Sequence, residues 1–390
     1  DDLFAPGSTA TCAYVVVSGE MVYSQYPSTS PVDEDTAEFV KPGRWLCEAC
    51  LWSEWTHVGK AEAEEACQLL SIRSTDFAQC LNQNLVLKAL AAEYCRQFHK
   101  RVRSACPPHA PWPTDLEVPF TDYCDLVVSM AKQVQVAIGR DALNQLSIQR
   151  NGRGIDQLRQ EVDTSKSIVV VTGTGAIIRV VSLVVLRAER ADGSVFMQVG
   201  KWDENTVKSA LQLPGAKQEA DELVSETLER MFDSKLTLLE DKLDFLGTTR
   251  ENQEKESKEF GVQTRYLRSI CAARLLPGAE VDAHICADKC MGPEVGETMQ
   301  LATTSHPQKQ QVLKWLQEIQ VYAVPVSPQA GNLYAWVPPE RLTMLGSASG
   351  EKAMNVWLSR LEMPNSPMPK LPEDLSNNEL DLECHSSIVM

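Results

Sequence analysis

Apolar and polar positions change period several times along the chain, and each change marks an element. "CAYVVVSGEMVYS" alternates and is β-branched, with Ser18-Gly19 between its halves, so it predicts two short strands and a turn. "YPSTSPVDEDTAEFVKP", residues 26–42, is polar and acidic and predicts a loop. The stretch "STDFAQCLNQNLVLKALAAEYCRQFHKRV" turns helical. Leu87, Leu90, Ala91, Tyr94 and Phe98 mark one face, and the end is basic, which suits a helix C-terminus. "CPPHAPWP" breaks the chain near residue 105. Residues 121–165 predict helix, with a stripe of Val127, Met130, Val134 and Ile138 and a break at Gly139.

From residue 167 the period shortens again. "SIVVVTGTGAIIRVVSLVVLRAERADGSVFMQVGKW" predicts strands, with Asp192-Gly193 as a hairpin turn. Gly173-x-Gly175 is followed by a β-branched run instead of a helix, so it predicts a hairpin turn and not a dinucleotide loop. A helix is expected over 219–232, with Leu223, Thr227, Leu228 and Met231 on one side. "TRENQEKESKEF" predicts a solvated loop or short exposed helix. "RYLRSICAARLL", "VYAVPV" and "NLYAWV" predict strands, and "PQKQQVLKWLQEI" and "GEKAMNVWLSRL" predict helices. Residues 362–390, rich in proline, serine and acid, predict a disordered tail.

Composition narrows the partners. The net charge of −16 argues against binding nucleic acid through its phosphates. At 390 residues and 43% apolar the chain can bury more than one core, and no apolar run reaches the length of a bilayer span. Twelve scattered cysteines fit a reducing compartment better than a disulfide scaffold. The opening Asp1-Asp2 and the strand pattern that follows at once suggest a piece of a larger protein. Cys47-x-x-Cys50 has the spacing of half a zinc knuckle, but His284, Cys286 and Cys290 lie in another part of the chain. No metal site is expected there, and the neighbouring tryptophans are expected in the core.

The richest chemistry lies in "RWLCEACLWSEWTHVGKAEAEEACQLLSI". With "LFAPGSTATCAYVVVSGEMVY" before it, this stretch resembles the cyclic-nucleotide-binding family over residues 1–103. In that family one loop supplies a Phe-Gly-Glu-like triplet, an apolar stretch and an arginine nine residues after the glutamate. The glutamate takes the ribose hydroxyl, and the arginine and backbone N–H groups take the phosphate. Here Leu46-Cys47-Glu48 stands at the triplet, Leu51 at the loop leucine and Ala63 at the following alanine. The resemblance therefore implies a cyclic-nucleotide cassette built on Cys47, Glu48, His57 and Ala63. It departs in two places. His57 stands where the arginine belongs, which removes a charge-assisted contact of about 1.5–3 kcal/mol. Cys47 replaces the glycine over which a phosphate would pass. The fold is expected with weak or no binding of cyclic AMP or cyclic GMP, and no cofactor is expected.

The second half carries "LQLPGAKQEADELVSETLERMF", which with the strands before it resembles the Nudix hydrolase pattern over residues 167–361. That family places a Leu-Pro-Gly-Gly turn before a helix whose glutamates hold Mg²⁺. Leu213-Pro214-Gly215, Glu222 and Arg230 fit, but Ala216, Met231, Ser234 and Lys235 stand where the second glycine and three acids belong. The resemblance thus implies a scaffold without catalysis, and the chain is not expected to be an enzyme. "NLYAWVPPERL", ending at Leu342, is similar to a late strand and helix of that fold.

The expected class is α+β: an antiparallel β-roll with flanking helices (cyclic-nucleotide-binding-like), then an αβα sandwich (Nudix-like). The expected parts are an N-terminally incomplete roll over 1–105, a helical connector over 106–166, the Nudix-like part over 167–361 and the tail over 362–390. The tryptophan-rich cassette from Trp45 to Gly59 is similar to that of protist voltage-gated cation channels of the ether-a-go-go and cyclic-nucleotide-gated type. That resemblance implies a cytosolic regulatory fragment of a potassium or cation channel, coupling the roll to gating and assembly. Its partners would be other subunits, as a tetramer of full-length chains, and a cytosolic protein on the Nudix-like part. It would sit at the cytoplasmic face of a membrane, tethered through upstream segments and itself soluble. Two other classes remain open: a soluble cyclic-nucleotide-responsive regulator and a hydrolase of nucleoside diphosphate derivatives.

Overall fold

The computed structural model describes residues 1–149, 153–204, 206–257, 260–281, 283–286, 315–316 and 319–363. The expected tail beyond Met363, most of the "PQKQQVLKWLQEI" helix, and Cys290 of the His284 cluster lie outside the described residues. The protein is mixed α+β, and its chain divides into two compact units. The first comprises Asp1–Leu183, Lys217–Ser225 and Arg250–Ser269, and the second comprises Val184–Ala216, Glu226–Thr249 and the residues from Ile270 onward.

The first unit opens with an antiparallel roll. β1 (Asp2–Phe4), β6 (Lys60–Glu62), β3 (Met21–Gln25) and β4 (Thr36–Val40) form one sheet in that order. β5 (Trp45–Leu46), β2 (Cys12–Ser18) and β7 (Gln68–Arg73) form the other. The expected Ser18-Gly19 turn joins β2 to β3. Alternation sends Val16, Met21, Tyr23, Val40 and Leu46 into one core with Phe4, Cys47 and Ala61. β4 is a correction to the acidic loop expected over 26–42. Its first four residues are exposed, so it carries no burial pattern; it is a strand because all five pair with β3. The tryptophans also divide. Trp55 is buried and Trp52 half-buried, whereas Trp45 is 37% exposed on the two-residue β5.

Helices follow the roll: α1 (Ala49–Trp52) inside the cassette, then α2 (Ser74–Asn82) and α3 (Leu85–Ser104) after β7. Asn84 separates the last two, accepting the Leu87 N–H on its side chain at 3.2 Å as a cap. The stripe expected on this segment is buried only toward its end: Leu87 is 46% exposed and Phe98 only 1%. α4 (Tyr123–Ser129), α5 (Lys132–Gln149) and α6 (Arg153–Asp163) come next, and the Val127, Met130, Val134 and Ile138 stripe packs into one core with Trp55, Phe98 and Val118. α5 runs unbroken through Gly139, where a break was expected. A Cβ there would lie 2.7 Å from Val162 Cγ1, so this glycine serves close packing against α6. β8 (Ile168–Val171) pairs with the start of β9 (Ile177–Glu189) around the Gly173-x-Gly175 turn, which is a hairpin as expected.

β13 (Leu243–Glu256) is a strand where a solvated loop or helix was expected. Its charges gave no apolar period. In the first unit they are matched by arginines of β14 (Gln263–Leu275), with Glu254–Arg265 at 2.7 Å and Glu251–Arg268 at 3.3 Å.

The second unit is built on β10 (Val195–Asp203), whose residues are nearly all buried. β10 pairs antiparallel with β11 (Thr206–Gln212) and β17 (Ala330–Val337). β17 pairs in turn with β16 (Tyr322–Ser327), and β16 with the two-residue β15 (His284–Ile285). Trp202, Leu333, Ala335 and Val337 share a core with Leu345, Met354, Trp357 and Leu358 from α8 (Pro339–Leu345) and α9 (Ala348–Leu358). Each large side chain buried there contributes roughly 1.5–3 kcal/mol of transfer free energy. Ser347 caps α9 by accepting the Gly350 N–H at 3.1 Å. α7 (Val224–Ser234) starts five residues later than the helix expected from 219.

Candidate functional site

The cassette is shaped by one backbone torsion. Leu46 ends β5, and Cys47 then takes φ of 60°, a left-handed conformation unusual for a side chain other than glycine. Glu48 follows in helical geometry and opens α1. The reversal points the Cys47 thiol into the roll, where it is fully buried.

A carboxylate waits there. Asp115 belongs to the segment after the proline breaker. Thr114 Oγ1 accepts the N–H groups of Leu116 and Glu117 at 3.2 Å each, and the Thr114 N–H bonds to the Glu117 carbonyl at 2.8 Å. That turn projects the Asp115 side chain, while Leu116 packs against the core of the roll. The Asp115 side chain is completely buried. Its Oδ1 accepts from Trp55 Nε1 at 2.8 Å and from His57 Nδ1 at 2.8 Å, with the Cys47 thiol at 3.6 Å. Its Oδ2 accepts from Tyr23 Oη at 2.9 Å and from the N–H groups of Val58 at 3.0 Å and Gly59 at 2.9 Å. The backbone joins in, because the Cys47 N–H donates to the Asp115 carbonyl at 2.6 Å. Gly59 has a steric reason: a Cβ would come within 2.4 Å of the Tyr23 ring, which could not then reach Asp115.

Electrostatics follows from this geometry. Burial alone would raise the Asp115 pKa. The bonds from His57, Trp55, the Gly59 N–H and Tyr23 outweigh it and hold the carboxyl below its ordinary value. The same burial, with Asp115 beside them, pushes the Cys47 thiol and the Tyr23 hydroxyl up. Phe4 stacks on the His57 ring at 3.9 Å between centroids and 11° between planes. Among the described residues no lysine or arginine pairs with Asp115.

The four residues singled out in the sequence thus separate. Cys47 and His57 converge on Asp115. Glu48 turns away: it is half-buried and accepts from Trp52 Nε1 at 3.4 Å, and burial raises its carboxyl. Ala63 lies against the core of the roll and bonds through its backbone to Asp1. Asp115 was missed because "PWPTDLEVPF" carries no period and stands far from the cassette in sequence. The two positions that the resemblance assigns to phosphate contact therefore both end on an internal carboxylate, and a phosphate brought to them would meet a like charge. The residues present do not fit a bound cyclic nucleotide.

A polar seam anchors the helix that follows the roll. Arg101 of α3 is buried and donates to the Asp125 carbonyl at 2.9 Å and to Ser129 Oγ at 2.8 Å. Arg250 pairs with the Asp125 carboxylate; its burial, and then the nearby Arg101 charge, lower its pKa to about 10. Arg96 bridges Glu93 and Asp221, both at 2.8 Å. In the second unit Met231 is fully buried, Ser234 Oγ bonds to the Arg230 carbonyl at 2.6 Å, and Lys235 Nζ reaches the Gly215 carbonyl at 2.5 Å. These three side chains offer no carboxylate to a cation.

Residues 1–84 match the family model described as cyclic nucleotide-binding domain. Among solved structures, the chain is similar to a cyclic nucleotide-binding-like protein from Brucella abortus, at 26% identity over 21% of this chain and 68% of that one, with a TM-score of 0.19. It is also similar to the sensor domain of the transcriptional regulator DNR from Pseudomonas aeruginosa, at 22% identity over 26% and 69% of the two chains, with a TM-score of 0.21. A third likeness is to the catabolite activator protein of Thermus thermophilus, at 20% identity over 42% and 71%, with a TM-score of 0.20. No curated protein matches. No helix among the described residues is long and apolar enough to cross a membrane. The N-terminal region of this protein is a cyclic nucleotide-binding domain, an antiparallel roll followed by helices.

Proposed function

We propose that this chain is a regulatory module whose ligand seat is closed from within. Its roll passes on conformation and subunit contact, where a relative with an open seat would answer a diffusing nucleotide. One observation carries this reading: the Asp115 carboxylate takes the N–H groups of Val58 and Gly59 together with His57, Trp55 and Tyr23. A retained fold with its own occupant keeps the switching surface and removes the ligand as its input. The resemblance of the Trp45–Gly59 cassette to that of protist voltage-gated channels supports reading such a module as the cytoplasmic part of a potassium or cation channel, among the subunits of a tetramer. The part from residue 167 to 361 then serves as a non-catalytic, Nudix-like scaffold for another subunit or a cytosolic protein.

Isothermal titration of the full chain with cyclic AMP and cyclic GMP tests the closed seat. The expected result is no saturable heat up to millimolar nucleotide. Micromolar binding of either would sink the reading and favour a soluble cyclic-nucleotide-responsive regulator, the second reading, which the family match over residues 1–84 supports.

A further inference from the structure

Cys47, His57 and Asp115, already linked by hydrogen bonds, also have the chemistry and spacing of a metal-ligand set. Three buried side chains of different metal-ligand classes bring one donor atom each within 4.8 Å of one another. Cys47 Sγ lies 3.3 Å from His57 Nδ1 and 3.6 Å from Asp115 Oδ1, and Nδ1 lies 2.8 Å from Oδ1. A tetrahedral zinc-class ion bonds sulfur at about 2.3 Å and nitrogen or oxygen at about 2.0–2.2 Å, which sets its ligands roughly 3.4–3.6 Å apart. The two sulfur edges already fall near that spacing. Only the Nδ1–Oδ1 edge must open, and it is now held by the proton that a metal would displace.

Three further observations, one on each residue of the group, favour a ligand role. Cys47 holds a left-handed backbone conformation that costs a residue with a Cβ on the order of 1–2 kcal/mol and costs glycine nothing. The Asp115 carboxylate is also buried, with the His57 imidazole on it and no lysine or arginine beside it among the described residues, so a cation could be held there by carboxylate, imidazole and thiol together. A stacked Phe4 fixes the imidazole plane.

We propose that Cys47 Sγ, His57 Nδ1 and Asp115 Oδ1 bind a divalent, thiophilic transition-metal ion of the zinc class, which clasps the 112–118 segment onto the cassette. The proposal deepens the closed-seat reading and rests on it, because Asp115 supplies both the occupant and a ligand. On binding, the Cys47 thiol gives its proton to solvent and the imidazole coordinates in its neutral form, with its proton on Nε2. Thiolate and carboxylate then balance the charge of the ion. Three protein ligands leave the fourth position to water or another small ligand.

Cobalt(II) added to the reduced full chain tests this directly, since a thiolate ligand gives a cobalt charge-transfer band in the near ultraviolet. One equivalent should develop that band, zinc should bleach it, and the melting temperature should rise with metal and fall with chelator. Cys47→Ser should abolish the band, and Cys50→Ser should keep it. If Cys47→Ser does not fold, His57→Gln retains a donor to Asp115 and should weaken cobalt binding at least tenfold. No saturable band in the wild-type chain, or a band that survives Cys47→Ser or His57→Gln at full strength, overturns the proposal. Nucleotide titration of the same samples separates the two readings. Cobalt binding with micromolar cyclic AMP binding sinks the closed seat and the clasp built on it. Neither metal nor nucleotide leaves the closed seat and sinks the metal.

Discussion

Asp115 and Lys235 each carry a charge to backbone groups, and the two regions around them treat that charge in opposite ways. Asp115 brings a negative charge into the roll to the N–H groups of Val58 and Gly59, and four side chains close over it until none of it is exposed. Lys235 brings a positive charge to the Gly215 carbonyl at 2.5 Å and stays half-buried beside a fully buried Met231. In the roll the centre is polar and is built around one carboxylate. In the second unit the corresponding stretch is organised by apolar packing, with the charge at its margin. The first arrangement is specific and unforgiving, because every group inside depends on one carboxylate. The second tolerates change at the charge and is sensitive at the methionine.

The largest effect that could break this contrast comes from Asp115→Ala. It strands six partners at once, five of them buried, and leaving buried donors unpaired costs about 1–3 kcal/mol each before relaxation. The expected loss is about 3–5 kcal/mol, read by urea denaturation near neutral pH. The pH dependence has a definite sign. The folded pKa of Asp115 lies below its unfolded value, so its contribution is complete above the unfolded carboxylate range, near 4, and is lost as pH falls through the folded value. The gap between wild type and Asp115→Ala should therefore narrow in acid. A loss under about 1 kcal/mol, or a gap independent of pH, would show that the carboxylate is not the organising charge.

Met231→Ala is the matching change on the other side. Removing a fully buried methionine should cost about 2–4 kcal/mol. This loss should be flat across the acid range, because no titrating contact is involved. A pH-dependent loss at Met231 would dissolve the difference between a polar and an apolar centre.

How much of this was legible in the sequence depended on whether a period or only a partner defined the element. β2, β3 and the β8–β9 hairpin were readable because their residues alternate and their turns carry glycine. The cassette was marked by the resemblance of Leu46-Cys47-Glu48, and of His57 nine residues after Glu48, to a family loop; of these residues only Cys47 and His57 meet at Asp115. β4 and the charged end of β13 were not, since their side chains face solvent and only pairing with neighbouring strands makes them strands. Gly139 carries the same letter as a helix breaker, and its packing against Val162 appears only once α6 is in place. Asp115 was hidden for the strongest reason: it lies 58 residues from His57, and nothing local marks an aspartate that will be buried by distant donors.

The smallest expected effect is also the most diagnostic, because it compares one substitution in both regions. Cys47 and Cys271 are each about fully buried, one in the roll and one on β14 in the second unit. Cys271→Gly removes a packed side chain and adds backbone freedom to a strand, so it should cost about 2 kcal/mol. Cys47→Gly removes the same atoms at a residue with φ of 60°, where glycine relieves strain of about 1–2 kcal/mol. The net change there should stay within about 1 kcal/mol in metal-free buffer. Equal losses at the two sites, by urea denaturation of otherwise identical chains, would mean that the left-handed turn at Cys47 stores no strain. The cysteine would then need no function to justify its place in a position made for glycine.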